Sequence, residues 1–180
     1  MALVIAVVVK TFLVQAFFIP SESMVPQLLV GDRVLVSKLA YDLHDPHRGD
    51  IVVFDAPGPH AKDRSPLATK VLRGLLEAVG VRQPSTQEYI KRVIALPGER
   101  VEGHDGHVFV NGREVVEPYL PPGVTTSAFA PLQVPRGRLW VMGDNRNNSA
   151  DSRVFGPIRR SGVVGRAILR VWPPDRAAFL

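Results

Sequence analysis

The sequence predicts a mainly β protein, an antiparallel barrel or coiled sheet, behind an apolar N-terminal segment. Three observations predict it. Beyond residue 19 the chain reads as short runs rich in β-branched and apolar residues, broken by Gly, Pro and Asp. Two of the breaks, Asp105-Gly106 and Asn111-Gly112, are dipeptides of tight two-residue hairpins. One segment alone, within residues 56–87, carries a helical period.

Residues 1–19 hold 16 apolar residues, interrupted by Lys10, Thr11 and Gln15. As one helix they would span about 28 Å, near the hydrocarbon thickness of a bilayer. Lys10 would then sit at mid-bilayer, at a cost of about 3 kcal/mol. Splitting the stretch avoids that cost. Residues 1–10 then form the end of a membrane anchor, Lys10 marks the interface, and residues 11–19 lead into the folded domain. A cleaved signal peptide is an alternative, but the positively charged start of such peptides is missing. An ordinary buried helix or strand is another.

Strands follow at residues 32–37 (DRVLVS), 50–54 (DIVVF), 88–95 (EYIKRVIA), 100–102, 107–110, 112–116, 138–142 (RLWVM) and 163–171 (VVGRAILRV). In the segment 56–87, Leu67, Val71, Leu75 and Val79 recur every four residues, flanked by Lys62, Arg64, Lys70, Arg73 and Arg82. That is a helix covering one face of the sheet, or one lying on an anionic membrane surface.

A length of 180 residues suits one domain with a small extra lobe. The absence of Cys excludes Cys-ligated zinc, a Cys nucleophile and disulfides. A chain 46% hydrophobic and 22% charged is neither disordered nor a polytopic membrane protein. The net charge of +5 is scattered, with no basic cluster interleaved with aromatics, so nucleic acid is not an expected partner. The five histidines lie in loop-like stretches or beside the 105–106 turn, so no metal site is expected. The cations are 17 Arg and only 5 Lys, which leaves five candidates for any chemistry that needs a lysine.

Three segments are dense in reactive groups. In IPSESMVP, Pro20 and Pro26 bracket a stretch that must be extended or turned. If it is extended, Ser21 and Ser23 share one side and Glu22 takes the other. Two hydroxyls on one side suit a nucleophile and an oxyanion donor; the bland reading is a serine-bearing loop. In YIKRVIALPG, Lys91 lies inside an apolar run. Burial would lower its pKa and let the neutral amine take a serine proton; the bland reading is a solvated charge on an edge strand. The third, GDNRNNSADSRVFGP, offers a hydroxyl to hold the lysine amine and an Asp–Arg pair to fix the loop, or simply a polar turn.

Together these segments resemble the boxes of type I signal peptidases, the membrane-anchored Ser/Lys proteases that remove signal peptides. GDRVLVSK and RGDIVVF also match, and the boxes keep their order across residues 10–173. The resemblance implies coiled antiparallel sheets or a partly open barrel, with a smaller inserted β lobe and an N-terminal transmembrane helix of which only the end is present. The implied catalytic β domain covers residues 11–101 and 138–173 with a variable insert at 56–87. The smaller lobe covers 102–137, and residues 174–180 form a tail. Position by position, Ser23 is the nucleophile, Lys91 the general base, and Ser21 an oxyanion donor. Ser149 orients the lysine, Asp151 and Arg153 form a supporting pair, and Asp144 and Arg146 belong to the same support. Phe17, Ile19, Pro20 and Ile90 would line shallow pockets for small residues at the substrate's −1 and −3 positions. Glu22 stands where many members have Gly, and Asn147 where many have Asp.

The implied partners are preprotein signal peptides and membrane lipid, with no cofactor. The implied location is the cell membrane, single-pass, with the catalytic domain on the extracytoplasmic side. Two alternatives are a Ser/Lys autoprotease of the repressor-cleaving type and an inactive membrane-attached domain that binds peptides.

Overall fold

The computed structural model describes residues 14–56 and 88–180. The anchor expected at residues 1–10 and the helical stripe between Leu67 and Val79 lie outside the described residues. Among the described residues no helix is long and apolar enough to cross a membrane.

The architecture is mainly β and antiparallel throughout, in two sheets. The larger holds β1 (Val14–Phe18), β2 (Arg33–Ser37), β3 (Ile51–Asp55), β4 (Glu88–Ala95), β9 (Arg138–Met142), β10 (Ile158–Arg159), β11 (Val163–Trp172) and β12 (Ala178–Phe179). Its order is β1-β2-β11-β3-β4-β9-β10, with β12 beside β11. The smaller holds β5 (Arg100–His104), β6 (His107–Val110), β7 (Arg113–Glu114) and β8 (Phe129–Gln133) in the order β7-β6-β5-β8. Among the described residues there are also two short α-helices, α1 (Ala40–Leu43) and α2 (Ser152–Phe155).

Strand β4 is buried from Ile90 to Ala95. It lies between β3 and β9, so neither edge is open, and the near-continuous apolar run of its sequence reflects that position. Its register puts Lys91 opposite Val52 and Arg92 opposite Ile51. The two hairpins of the small sheet turn where the dipeptides predict. Asp105 and Gly106 have φ of 52° and 83°, Asn111 and Gly112 of 53° and 75°. Paired positive φ angles match the right-handed twist of the flanking strands.

Strand β8 lies outside the predicted strands and contains Pro131, which a central strand would not tolerate. It is an edge strand, where a missing N–H is tolerated. The small sheet is pinned to the large one by a shared core. Ile94, Trp140 and Met142 pack with Val101, Val108 and Val110, and the Phe129 ring stacks on Trp140 at 5.2 Å. Residues 174–180 fold back on the sheet. Arg176 grips the buried Asp32 carboxylate at 2.8 and 3.0 Å, and Leu180 packs on the core.

Candidate active site

The segment from Pro20 to Pro26 is a turn, not an extended strand. Ser21 is extended, at φ −135° and ψ 161°, and Glu22–Met24 then form one turn of 3-10 helix. The alternation that would turn Glu22 away therefore does not apply. The Glu22 carbonyl accepts from Asn145 Nδ2 at 3.2 Å, and its carboxylate from Asn148 Nδ2 at 3.3 Å. Met24 plugs the core completely and anchors the turn. The turn still brings the two hydroxyls together, with Ser21 Oγ 3.4 Å from Ser23 Oγ.

Lys91 reaches this turn from β4. Its Nζ lies 2.7 Å from Ser23 Oγ and 2.8 Å from the Ile90 carbonyl. Lys91 is only 4% exposed and Ser23 9%. Burial disfavours the ammonium and pushes the Lys91 pKa down to about 8, against the opposing pull of Asp151 and Asp144. An amine that loses its proton near neutrality, within hydrogen-bond reach of a serine hydroxyl, is equipped to take that hydroxyl's proton.

The loop after β9 wraps the other side of Ser23. Asn145 N–H donates to the Ser23 carbonyl at 3.1 Å. Asp151 caps α2 and accepts from Gly143 N–H at 3.0 Å and from Arg153 at 2.9 and 2.8 Å. Burial would raise the Asp151 pKa, but Arg153 and the Gly143 N–H overcome it and hold the carboxyl below its usual range.

Asp144 and Arg146, both expected as support, have separate partners: Arg92 holds Asp144 across the sheet at 2.8 and 2.6 Å. Arg146 meets Glu117 and Thr126. In this geometry the hydrogen bonds of Lys91 go to Ser23 and Ile90, and the buried Ser149 hydroxyl lies against Gly143 with no hydrogen-bond partner among the described residues. A Cβ on Gly143 would collide with the Ser149 side chain and the Ser23 carbonyl. Gly143→Ala is therefore expected to lower the unfolding free energy by about 1–3 kcal/mol in a urea titration. An unchanged midpoint would mean that the loop can retreat from Ser23.

Phe17, Ile19 and Ile90 share one core cluster with Met24, next to the nucleophile candidate, whereas Pro20 is exposed. Sequence reasoning missed Arg92 and Glu117 as parts of the site. Arg92 had a signal, since a guanidinium inside an apolar run must find a buried partner. Glu117 had none, lying 29 residues from Arg146 in an irregular stretch.

The signal peptidase, peptidase S26, family model matches residues 1–172. Signal peptidase I of Leptolyngbya laminosa is 40% identical over 183 residues, covering 100% of this chain and 79% of that protein. Signal peptidase I of Mycobacterium tuberculosis is 38% identical, covering 97% of this chain and 70% of that protein. A solved signal peptidase I from Enterococcus faecalis V583 has a TM-score of 0.48 at 29% identity, over 68% of this chain and 97% of that one. The family match runs through the Ser23 turn, strand β4 and the loop around Asp151 alike, and the chain belongs to the signal peptidase family, peptidase S26.

Proposed function

We propose that the protein is a serine endopeptidase that removes N-terminal signal peptides from exported preproteins, with Ser23 as nucleophile and Lys91 as general base. The observation that carries this reading is the buried 2.7 Å contact between Ser23 Oγ and a lysine whose pKa falls to about 8. The neutral Lys91 amine accepts the Ser23 proton as Oγ attacks the carbonyl carbon of the −1 residue. The Ser23 N–H and the Ser21 hydroxyl take the oxyanion, and one such donor is worth about 3 kcal/mol. The Lys91 ammonium then gives its proton to the leaving amine nitrogen as the C–N bond breaks. Water, deprotonated by Lys91, hydrolyses the ester and restores Ser23.

The apolar Phe17, Ile19 and Ile90, with Pro20 at the rim, favour small residues at −1 and −3 by leaving little room for larger ones. Asp151 with Arg153, and Asp144 and Arg146 through their own partners, hold the loop around Ser23. Ser149 lies near enough to Gly143 to pack under the same loop. The large sheet is the partly open barrel of a catalytic domain, residues 11–101 and 138–173, with 56–87 as its insert. Residues 102–137 form the smaller lobe. Residues 1–10 belong to a membrane anchor that tethers this domain to the extracytoplasmic face of the cell membrane. A substrate tethered in the same lipid by its own apolar segment is then met at high effective concentration.

A synthetic preprotein with Ala at −1 and −3 tests the reading. Cleavage after the −1 Ala is expected, and Ser23→Ala should abolish it with the fold intact. The sign of the pH dependence follows from the base. Below about pH 8 the fraction of neutral Lys91 falls tenfold per unit, so kcat/KM at pH 6 should be about 1% of its plateau. A flat profile from pH 5 to 9 would rule Lys91 out as the base.

A further inference from the structure

Two buried arginines brace the active-site loop, and one short segment of the connection from β7 to β8 meets both. Arg146 has no exposed side-chain surface. Its Nη1 donates to Glu117 Oε2 at 2.7 Å and to Thr126 Oγ1 at 2.8 Å, its Nη2 to Glu117 Oε1, and its Nε to the Gly143 carbonyl at 3.1 Å. Tyr119 Oη donates to Glu117 Oε1 at 2.6 Å, and the Tyr119 ring lies 3.9 Å from the Arg92 guanidinium carbon. Arg92 in turn follows Lys91 in β4 and holds Asp144 and the Gly49 carbonyl. Burial and the Glu117 carboxylate push the Tyr119 phenol up, so it stays a donor across the working pH range.

The path from this segment to the reacting atoms is short. Arg146 holds the Gly143 carbonyl, and Gly143 is packed so closely under Ser23 that no Cβ fits. Asn145, between Asp144 and Arg146, holds the Ser23 carbonyl through its N–H. A guanidinium stripped of its carboxylate in this dry site must seek water or a new acceptor, and moving it moves both contacts. The geometry points to Glu117 as a positioning residue for the Ser23–Lys91 pair. It acts through Arg146 on residues 143–145, with Tyr119 orienting its carboxylate and covering Arg92. This role rests on the peptidase reading above.

The test compares the full chain with Glu117→Gln, Tyr119→Phe and Ser23→Ala on the preprotein peptide, with rates normalised to folded protein. Glu117→Gln keeps the shape and removes the charge. Its kcat is expected to fall about 30-fold with KM within about twofold, the pattern of a misplaced nucleophile and not of lost binding. A lowered unfolding midpoint with unchanged kcat per folded molecule would reduce Glu117 to a structural residue and overturn the proposal. If Glu117→Gln does not fold, Tyr119→Phe decides. It keeps the ring over Arg92 and loses one hydrogen bond to the carboxylate, so kcat should drop about threefold at constant KM; an unchanged kcat overturns the role. Ser23→Ala separates the two readings. Cleavage by that variant at the wild-type rate would sink the peptidase site itself, whereas an inert Ser23→Ala beside an unaffected Glu117→Gln sinks only the positioning role.

Discussion

Lys91→Met is expected to abolish peptide cleavage and, at pH 7, to make the protein more stable. Methionine fills the space of the lysine stem but has no lone-pair amine, so the step that deprotonates Ser23 loses its base. Removing one member of a nucleophile–base pair costs on the order of 10⁵-fold or more in kcat. The stability gain comes from the same burial that makes the amine useful. In the fold the lysine pKa drops from 10.5 to about 8, through desolvation. That drop corresponds to about 3 kcal/mol carried by the folded protein whenever Lys91 is protonated. The folded state releases the proton more readily than the unfolded chain, so wild-type stability rises with pH between 8 and 10.5. The penalty is fully present below pH 8 and gone above 10.5. Urea unfolding should therefore show the methionine variant ahead by about 3 kcal/mol at pH 7, with the gap closing toward pH 10.5. A variant less stable than wild type at pH 7 would mean that Asp151 and Asp144 hold a charged lysine in place, and the neutral-base mechanism would lose its support.

What could be read before folding follows from how local each cause is. Strand β4 is found with its bounds at Glu88 and Ala95, as are β6 and β9, because period and flanking turns are local signals. The hairpins at Asp105-Gly106 and Asn111-Gly112 are legible for the same reason. The Ser23 turn is half legible: its bracketing prolines restrict the chain without choosing between extended and 3-10 geometry. The choice falls to tertiary contacts, the burial of Met24 and the hold of Asn145 on Ser23. The approach of Ser23 to Lys91, 68 residues apart, has no local signal, and the resemblance alone anticipated it. Asp151 with Arg153 is legible as a pair two residues apart at a helix start. Asp144 with Arg146 has the same spacing and opposite charges, yet the pair does not form. The register of β4 against β9 sets Arg92 beside Met142, two residues before Asp144, and the cross-sheet partner wins.

Asp144→Asn tests that cross-sheet partnership and should be the most destabilising single change in the site. Arg92 gives both ends of its guanidinium fork to Asp144, at 2.8 and 2.6 Å, and the two side chains are 8% and 1% exposed. An amide preserves the shape but turns one accepting oxygen into a donor facing a cation. Breaking a buried pair from one side costs about 3–5 kcal/mol, because the remaining charge is left without its counter-ion. The loss should appear as a shifted urea midpoint at unchanged slope. Arg92→Met alone should cost a similar amount, since it leaves a buried carboxylate. The double variant Arg92→Met/Asp144→Asn removes both charges and should recover part of the loss, with a coupling energy above about 1 kcal/mol for groups in contact. Additive losses would mean that the two residues do not stabilise one another, and that Arg92 owes its place to the Gly49 carbonyl and the Tyr119 ring. The pair also has a catalytic consequence that distinguishes it from an ordinary structural bridge. Asp144 raises the Lys91 pKa, so losing its charge makes the amine easier to neutralise. The folded fraction of Asp144→Asn should therefore reach its kcat/KM plateau at a lower pH than wild type, even as the protein as a whole becomes easier to unfold.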